Sequence, residues 1–267
     1  MAEDLGEGDH SSLAVIPADA KGKAVLKIKQ EGILAGVEIA EKIFRLLEPA
    51  SDFHLMKKDG DAMQPGDEAF TVEATVHTLL TCERLVLNCM QRMSGIATLT
   101  HQFVGKIRGF KSRILDTRKT TPNFRLLEKE AVRIGGGLNH RFGLFDMIML
   151  KDNHIDYCGG ITKAIDNAYD YAQKYKPELK IEVETRTLDD VREVLKSGKV
   201  NRIMLDNFSP ALLIQALEII QQKTETEASG GINLENIRDY AATGVDFISI
   251  GALIHQAKSL DMSLKAV

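Results

Sequence analysis

The 267-residue chain contains no tryptophan, only three cysteines and only six prolines. Cys82, Cys89 and Cys158 are odd in number, widely spaced and in no CxxC pair. They exclude a disulfide scaffold and read as reduced structural fillers in a cytoplasmic protein. No segment approaches the roughly 18 consecutive apolar residues of a membrane span. The acidic start, MAEDLGEGDHSS, lacks the basic-then-apolar order of a secretory signal. Positive charge is not in excess: 34 Lys and Arg against 38 Asp and Glu leave a net charge of −4. A general nucleic-acid binder would carry a basic domain or stripe instead. What is present is ordinary for a soluble globular protein, 44 % hydrophobic and 27 % charged, which rules out disorder and collagen-like repeats. The length suits one to two domains, or one α/β barrel of about 250 residues.

The first hundred residues have an α+β grammar. Ala24–Ile28 and Phe70–Val76 read as strands, the second alternating apolar and polar with a period of two. Turn residues at 58–61 and 64–67 separate the pieces. Helical spacing predicts a helix over 34–47 and another from Cys82 to past Thr98. From about Ser112 strand-like runs recur, and most lead into a helical pattern: 114–116, 147–150, 181–184, 203–205 and 247–250. Alternating strands and helices imply parallel pairing, hence an open α/β sheet or a barrel.

The residues that follow these strands carry the chemistry. They are Arg118 and Lys119, then Lys151, then Glu184, then Asp206, then Ser229-Gly230-Gly231, and finally Gly251. In a parallel barrel the carboxyl ends of the strands converge on one mouth, where active sites are built. Taken singly, each is an ordinary solvated strand end; in succession they describe a site. Arg118, Lys119, Arg141 and Lys151, with the His140 imidazole, suit a multiply anionic small molecule, because arginine forks match carboxylates and phosphates. Glu182 and Glu184 face the same side of their strand, and Glu184 and Asp206 end neighbouring strands. These acids would either hold a Mg²⁺ ion or form internal salt bridges to Lys151 or Arg118. Ser229-Gly230-Gly231 is expected to open a helix over 234–242, with Asn233 as N-cap, and to offer backbone N–H groups to a phosphate. Gly135-Gly136-Gly137 precedes a strand and is no dinucleotide fingerprint. His154 and His255 have no metal-ligand spacing to another histidine. No hydrolase elbow or HExxH occurs.

The segments AEDLGEGDHSS, ERLVLNCMQRMSGIAT, ILDTRKTTP, GGGLNHRFGLFDMIMLKDNHI, IEVE, IMLDNF, EASGGI and ISIGALIH resemble quinolinate phosphoribosyltransferases nearly end to end. The resemblance implies an N-terminal α/β sandwich over 1–97 and an incomplete TIM-type α/β barrel over 98–255, with 256–267 returning to the first domain. It implies transfer of phosphoribosyl from phosphoribosyl pyrophosphate to quinolinate, with loss of CO₂ and with Mg²⁺ as cofactor. It further implies a homodimer, with a hexamer as the larger alternative, in which Arg84 enters the neighbouring subunit's site. By position, Thr117, Arg118, Lys119, His140, Arg141 and Lys151 match the basic substrate pocket. Glu184 and Asp206 match the acids on the ribose and Mg-pyrophosphate side. Ser229, Gly230, Gly231, Ile250, Gly251 and Ala252 match the phosphate loops, with His255 close by. Asn123 stands where the family usually carries glycine, and asparagine tolerates the left-handed turn that glycine would make there.

Three rivals remain: a nicotinate phosphoribosyltransferase acting on a monocarboxylate, a Schiff-base aldolase using Lys119 or Lys151, and a non-catalytic metabolite-binding dimer. The dense basic cluster favours a dicarboxylate substrate.

Overall fold

The computed structural model describes residues 1–267. It forms two compact units: residues 1–101, 121–136 and 253–267, and residues 102–120 with 137–252.

The first unit begins with α1 (Ala2–Leu5), α2 (His10–Val15), β1 (Lys21–Ile28), β2 (Gly32–Ile33) and α3 (Val37–Leu47). It continues with β3 (Asp52–Leu55), β4 (Ala62–Met63), β5 (Glu68–Thr75) and the long helix α4 (Val76–Lys106). Further along the chain come β6 (Arg113–Leu115), α5 (Arg125–Ile134), β7 (Ile148–Leu150), α6 (Asp152–Cys158) and α7 (Ile161–Tyr175). They are followed by β8 (Ile181–Thr185), α8 (Leu188–Ser197), β9 (Arg202–Asp206) and α9 (Pro210–Ile220). The last elements are β10 (Glu225–Ser229), α10 (Ile237–Ala242), β11 (Phe247–Ser249), α11 (Ala252–His255) and β12 (Met262–Ala266).

In the first unit four antiparallel strands run in the order β12-β1-β5-β3. The inward face of this sheet packs under α3 and α4 around Leu26, Phe44, Phe70, Val72 and Met90. Phe53 and Phe70 stack at 4.4 Å, and Phe44 meets Phe70 edge-on at 6.3 Å. Burial pushes the Cys82 thiol up to about 11, as suits a filler rather than a nucleophile. Helix α5 clusters with the first unit. Two devices fasten it. Gly135 lets the end of α5 approach α4, since a Cβ there would overlap the Ala97 carbonyl. Buried Glu128 accepts Arg92 Nε at 3.0 Å and Nη2 at 2.8 Å, and the Thr121 N–H at 2.7 Å. Arg92 also donates to the carbonyls of Ile254 and Ala257, both at 2.7 Å.

In the second unit six strands run parallel in the order β6-β11-β10-β9-β8-β7. A parallel bridge from Leu115 to Leu138 extends the row beyond β6. Strand β7 pairs only with β8, so the TIM-type barrel is incomplete. Helices α7, α8 and α9 cover the outside, with Ile165, Val191 and Leu213 buried. No helix is long and apolar enough to cross a membrane.

Local boundaries depart from the sequence in three places. Helix α3 starts at Val37 rather than 34, because Gly36 adopts φ 97° and breaks the pattern. Helix α4 begins at Val76, directly after β5. Helix α10 begins at Ile237, not 234. Asn233 therefore caps a tight turn, its Oδ1 accepting the N–H groups of Glu235 and Asn236 at 2.9 and 3.2 Å.

Candidate active site

The carboxyl ends of the parallel strands in the second unit gather most of the residues marked by the sequence. After β6 the chain turns through Asp116-Thr117-Arg118-Lys119. Beside it the segment 138–140 is zipped to β6: Leu138 N–H donates to Ile114 O at 2.8 Å, and Asp116 N–H to Leu138 O at 3.1 Å. The Asp116 carboxylate then accepts the His140 N–H at 2.8 Å. This zipper, whose acceptor role for Asp116 has no sequence signature, puts Arg141 next to Arg118. Burial lowers the Arg141 pKa, and the like charge of Arg118 lowers it further, with Glu182 and Asp146 opposing. Arg118 Nε is buried and has no hydrogen-bond partner in the protein. Two neighbouring guanidiniums, one with an unpartnered Nε, can receive a carboxylate or phosphate. Thr117 Oγ1 accepts the Lys119 N–H at 3.1 Å, and the Lys119 side chain is exposed.

Across the strand ends stands a group of mixed sign. Lys151 Nζ lies 3.8 Å from Glu184 Oε2. Burial raises the Glu184 pKa, and the neighbouring charge of Asp206 adds to it, while Lys151 opposes. Burial also raises the Asp206 pKa, opposed by Lys151 and the Ser229 hydroxyl. Two half-buried carboxylates within repulsion range, with one lysine acting on both, make a pair able to hold a hard divalent cation. The two readings of these acids, cation site and salt bridge, thus share one geometry.

Strand β10 pairs with β9 so that Ser229 stands opposite Asp206. Asn207 N–H donates to Ser229 O at 2.8 Å, and its side-chain amide donates to Asp206 Oδ2 at 2.7 Å. Asn207 is left-handed at φ 57°, and Gly230 follows Ser229 at φ 94°. Ile250 is buried, its N–H donating to Leu115 O at 3.0 Å, and Gly251 and Ala252 are half-buried beyond it. Gly231 is exposed. The residues expected to form the phosphate loops therefore lie at the ends of β10 and β11. Arg84 and His255 belong to the first unit, and both are exposed.

Beneath the mouth lies a buried polar cluster that the sequence disclosed only in part. His140 Nε2 stands 3.0 Å from Glu182 Oε2 and 3.4 Å from Glu227 Oε2, and all three side chains are nearly inaccessible. Arg202 Nη1 donates to Glu227 Oε2 at 3.0 Å, and Nη2 to Glu225 Oε2 at 3.1 Å. Burial alone would lower the His140 pKa, but Glu182 and Glu227 outweigh it and raise it to about 9. The Arg141 N–H lies 2.7 Å from Nδ1, a contact that puts the ring proton on Nε2, toward the acids, and opposes the second protonation that the two carboxylates favour. A His-Glu-Glu triple can bind a metal, and its ligand atoms lie within 4.8 Å of one another. Here the Arg202 guanidinium already supplies counter-charge, so the cluster is an ion-pair network. Glu227 and Arg202 were not singled out from the sequence: Glu227 opens the segment EASGGI, where the serine and glycines drew the reading, and Arg202 sits in no recognisable motif.

Comparison with known proteins agrees with this layout. The family model for the quinolinate phosphoribosyl transferase N-terminal domain matches residues 9–94, and that for the C-terminal domain matches residues 96–265. The chloroplastic nicotinate-nucleotide pyrophosphorylase (carboxylating) of Arabidopsis thaliana is 45 % identical over 280 aligned positions, covering 99 % of this chain and 80 % of its own. A probable nicotinate-nucleotide pyrophosphorylase (carboxylating) of Synechocystis sp. is 41 % identical, covering 100 % and 90 %. The crystal structure of NadC from Streptococcus pyogenes superposes with a TM-score of 0.93 at 40 % identity, covering 100 % of this chain and 94 % of that one. Matched in both halves and along its whole length, the chain belongs to the quinolinate phosphoribosyltransferase family.

Proposed function

We propose that the protein joins quinolinate to the phosphoribosyl group of phosphoribosyl pyrophosphate, releasing pyrophosphate and CO₂ and leaving nicotinate mononucleotide. The observation that carries this reading is the Arg118–Arg141 pair with its unpartnered buried Nε, a receptor for a dianion in a protein of net negative charge. Quinolinate brings two carboxylates, and a monocarboxylate would leave part of that charge unanswered.

Arg118 and Arg141 bind and orient the dicarboxylate, and Lys119 and Lys151 add point charges for it and for the phosphates. Ser229, Gly230 and Gly231, with Gly251 and Ala252, would receive the 5′-phosphate on backbone N–H groups, and Ile250, its own N–H held by Leu115 O, anchors the second loop. As the C1–O bond to pyrophosphate breaks, positive charge grows on the ribose, and the Glu184 and Asp206 carboxylates would stabilise it. The quinolinate nitrogen gives its lone pair to C1. The quaternised ring then accepts the electron pair of the C2–carboxylate bond as CO₂ departs, and C2 takes up a proton. No protein nucleophile is required, and Lys119 and Lys151 serve as anion clamps rather than Schiff-base formers.

Glu184 and Asp206 fit Mg²⁺ by their oxygen donors and mutual repulsion, and would hold it directly or through water or pyrophosphate. Bound there, Mg²⁺ would neutralise the leaving pyrophosphate. We also propose a homodimer, or a hexamer built from it, in which exposed Arg84 completes the neighbouring subunit's site. The three free cysteines suit a reducing cytoplasmic setting.

The test is a coupled assay with purified protein, Mg²⁺, phosphoribosyl pyrophosphate and carboxyl-labelled quinolinate. Equal yields of labelled CO₂ and nicotinate mononucleotide, lost on chelation and restored by Mg²⁺, are expected. Folded protein that releases no CO₂ would sink the proposal, and nicotinate would be the next substrate. For the shared site, Arg84→Ala and Lys151→Ala variants, each inactive, should regain part of the activity when mixed.

A further inference from the structure

The His140 network lies below the substrate groups and is costly to maintain. Buried carboxylates are stabilising only when their partners are well placed, and apolar side chains of like volume would usually serve stability as well. Here four strands contribute. Glu182 comes from β8, Arg202 from β9, Glu227 from β10, and Ser249 from β11 hydrogen-bonds Glu227. They converge on one ring. His140 Nε2 meets Glu182 and Glu227, its backbone N–H is held by Asp116, and its Nδ1 accepts the Arg141 N–H. The histidine is thus fastened at both ring nitrogens and at its backbone. Its side chain is only 5 % exposed, and the Arg141 amide is a polar link from the ring toward the mouth.

We propose that Glu182 and Glu227 are positioning residues for dicarboxylate binding: they fix the His140 ring, and the ring fixes the Arg141 backbone so that its guanidinium stands beside Arg118. The inference rests on reading the mouth as the quinolinate site. It differs from a structural role in one respect. A network that only stabilised the barrel would affect both substrates alike, or neither. A network acting through Arg141 affects quinolinate far more than phosphoribosyl pyrophosphate; Glu227 and Ser249 share β10 and β11 with the phosphate loops, so Glu182, on β8, gives the cleaner reading.

The experiment measures KM and calorimetric Kd for quinolinate and for phosphoribosyl pyrophosphate in Glu227→Gln and Glu182→Gln. Quinolinate affinity should fall roughly tenfold, the size of one lost charge-assisted hydrogen bond, with phosphoribosyl pyrophosphate affinity changed by less than about twofold. In an Arg141→Lys background the effect of Glu227→Gln should largely vanish, as coupled sites require. His140→Asn, whose Oδ1 can take the Arg141 amide, should retain more quinolinate affinity than His140→Leu. Equal weakening of both substrates, an unchanged quinolinate affinity, or full additivity with Arg141→Lys overturns the inference. Should Glu227→Gln fail to fold because Arg202 loses its partner, Glu182→Gln leaves that pair intact and gives the same reading. A wild-type protein that turns over no quinolinate overturns the proposed function; an active wild type with unaffected variants overturns only the positioning role.

Discussion

Gly230 has no room for a Cβ while Asn207 stands where it does, because the added carbon would overlap the Asn207 side-chain oxygen. The two residues follow adjacent parallel strands, and both are left-handed, at φ 94° and 57°. Each therefore fixes the other's turn at the proposed phosphate loop. Gly230→Ala should cost about 1–3 kcal/mol of stability through backbone strain. Displacement of the loop should lower kcat/KM for phosphoribosyl pyrophosphate by about a hundredfold. Urea unfolding and initial-rate kinetics on the same preparation check both numbers.

Arg118 offers a directional test of the anion receptor. Lysine preserves the charge but not the fork, and alanine preserves neither. Quinolinate KM should rise in Arg118→Lys and rise further in Arg118→Ala, by roughly 10- to 150-fold for a hydrogen bond to a charged group. Equal KM values for the two variants would show that the charge contributes nothing without the fork, whereas a lysine variant matching wild type would show that charge alone is recognised.

The Arg92–Glu128 pair makes a stability prediction in the first unit. Arg92→Met removes the guanidinium from the fully buried Glu128 carboxylate, leaving Thr121 to hydrogen-bond it, and should cost about 3–5 kcal/mol. The double variant Arg92→Met, Glu128→Met removes both charges and should be less destabilised than the single one. Denaturant midpoints for the four proteins of this cycle measure the coupling.

Glu48 provides a pH test. Lys21 chiefly, with the Thr75 N–H, the Thr75 hydroxyl and Thr78, outweighs burial and holds its carboxyl down to about 2 from an ordinary 4.5. A carboxyl depressed in the folded state stabilises above the unfolded value and loses that contribution as pH falls toward the folded one. Glu48→Gln should be less stable than wild type at pH 7 by about 1–2 kcal/mol, a figure discounted for the solvent around Lys21. The gap should close progressively between pH 4.5 and 2.

Much of the barrel could be read from the sequence because its strands are apolar runs at regular spacing. Strand β10, with the sequence Glu-Thr-Glu-Ala-Ser, escaped direct recognition, although the loop after it did not. Its inward positions are acids that serve the polar cluster, so the usual apolar signal is missing. The basic residues at strand ends were legible because topology sends all such ends to one face. The partners of His140 were not, since Glu182 and Glu227 come from distant strands and no local pattern announces such a meeting. Asn123 was legible through its chemistry, and it adopts the left-handed φ of 61° expected of that turn.

The pairing of β1 with β12 has a consequence for the order of folding. Residues 24–28 find their partners in residues 262–266, so the first strand of the chain waits for almost the last. During synthesis the central strands of the barrel emerge and can pair while the first unit still presents an unclaimed strand edge. Such an edge invites pairing with other chains. A nascent chain stalled before residue 262 should therefore be recruited by chaperones or aggregate through β1, and a short peptide copying 262–266 should suppress that association.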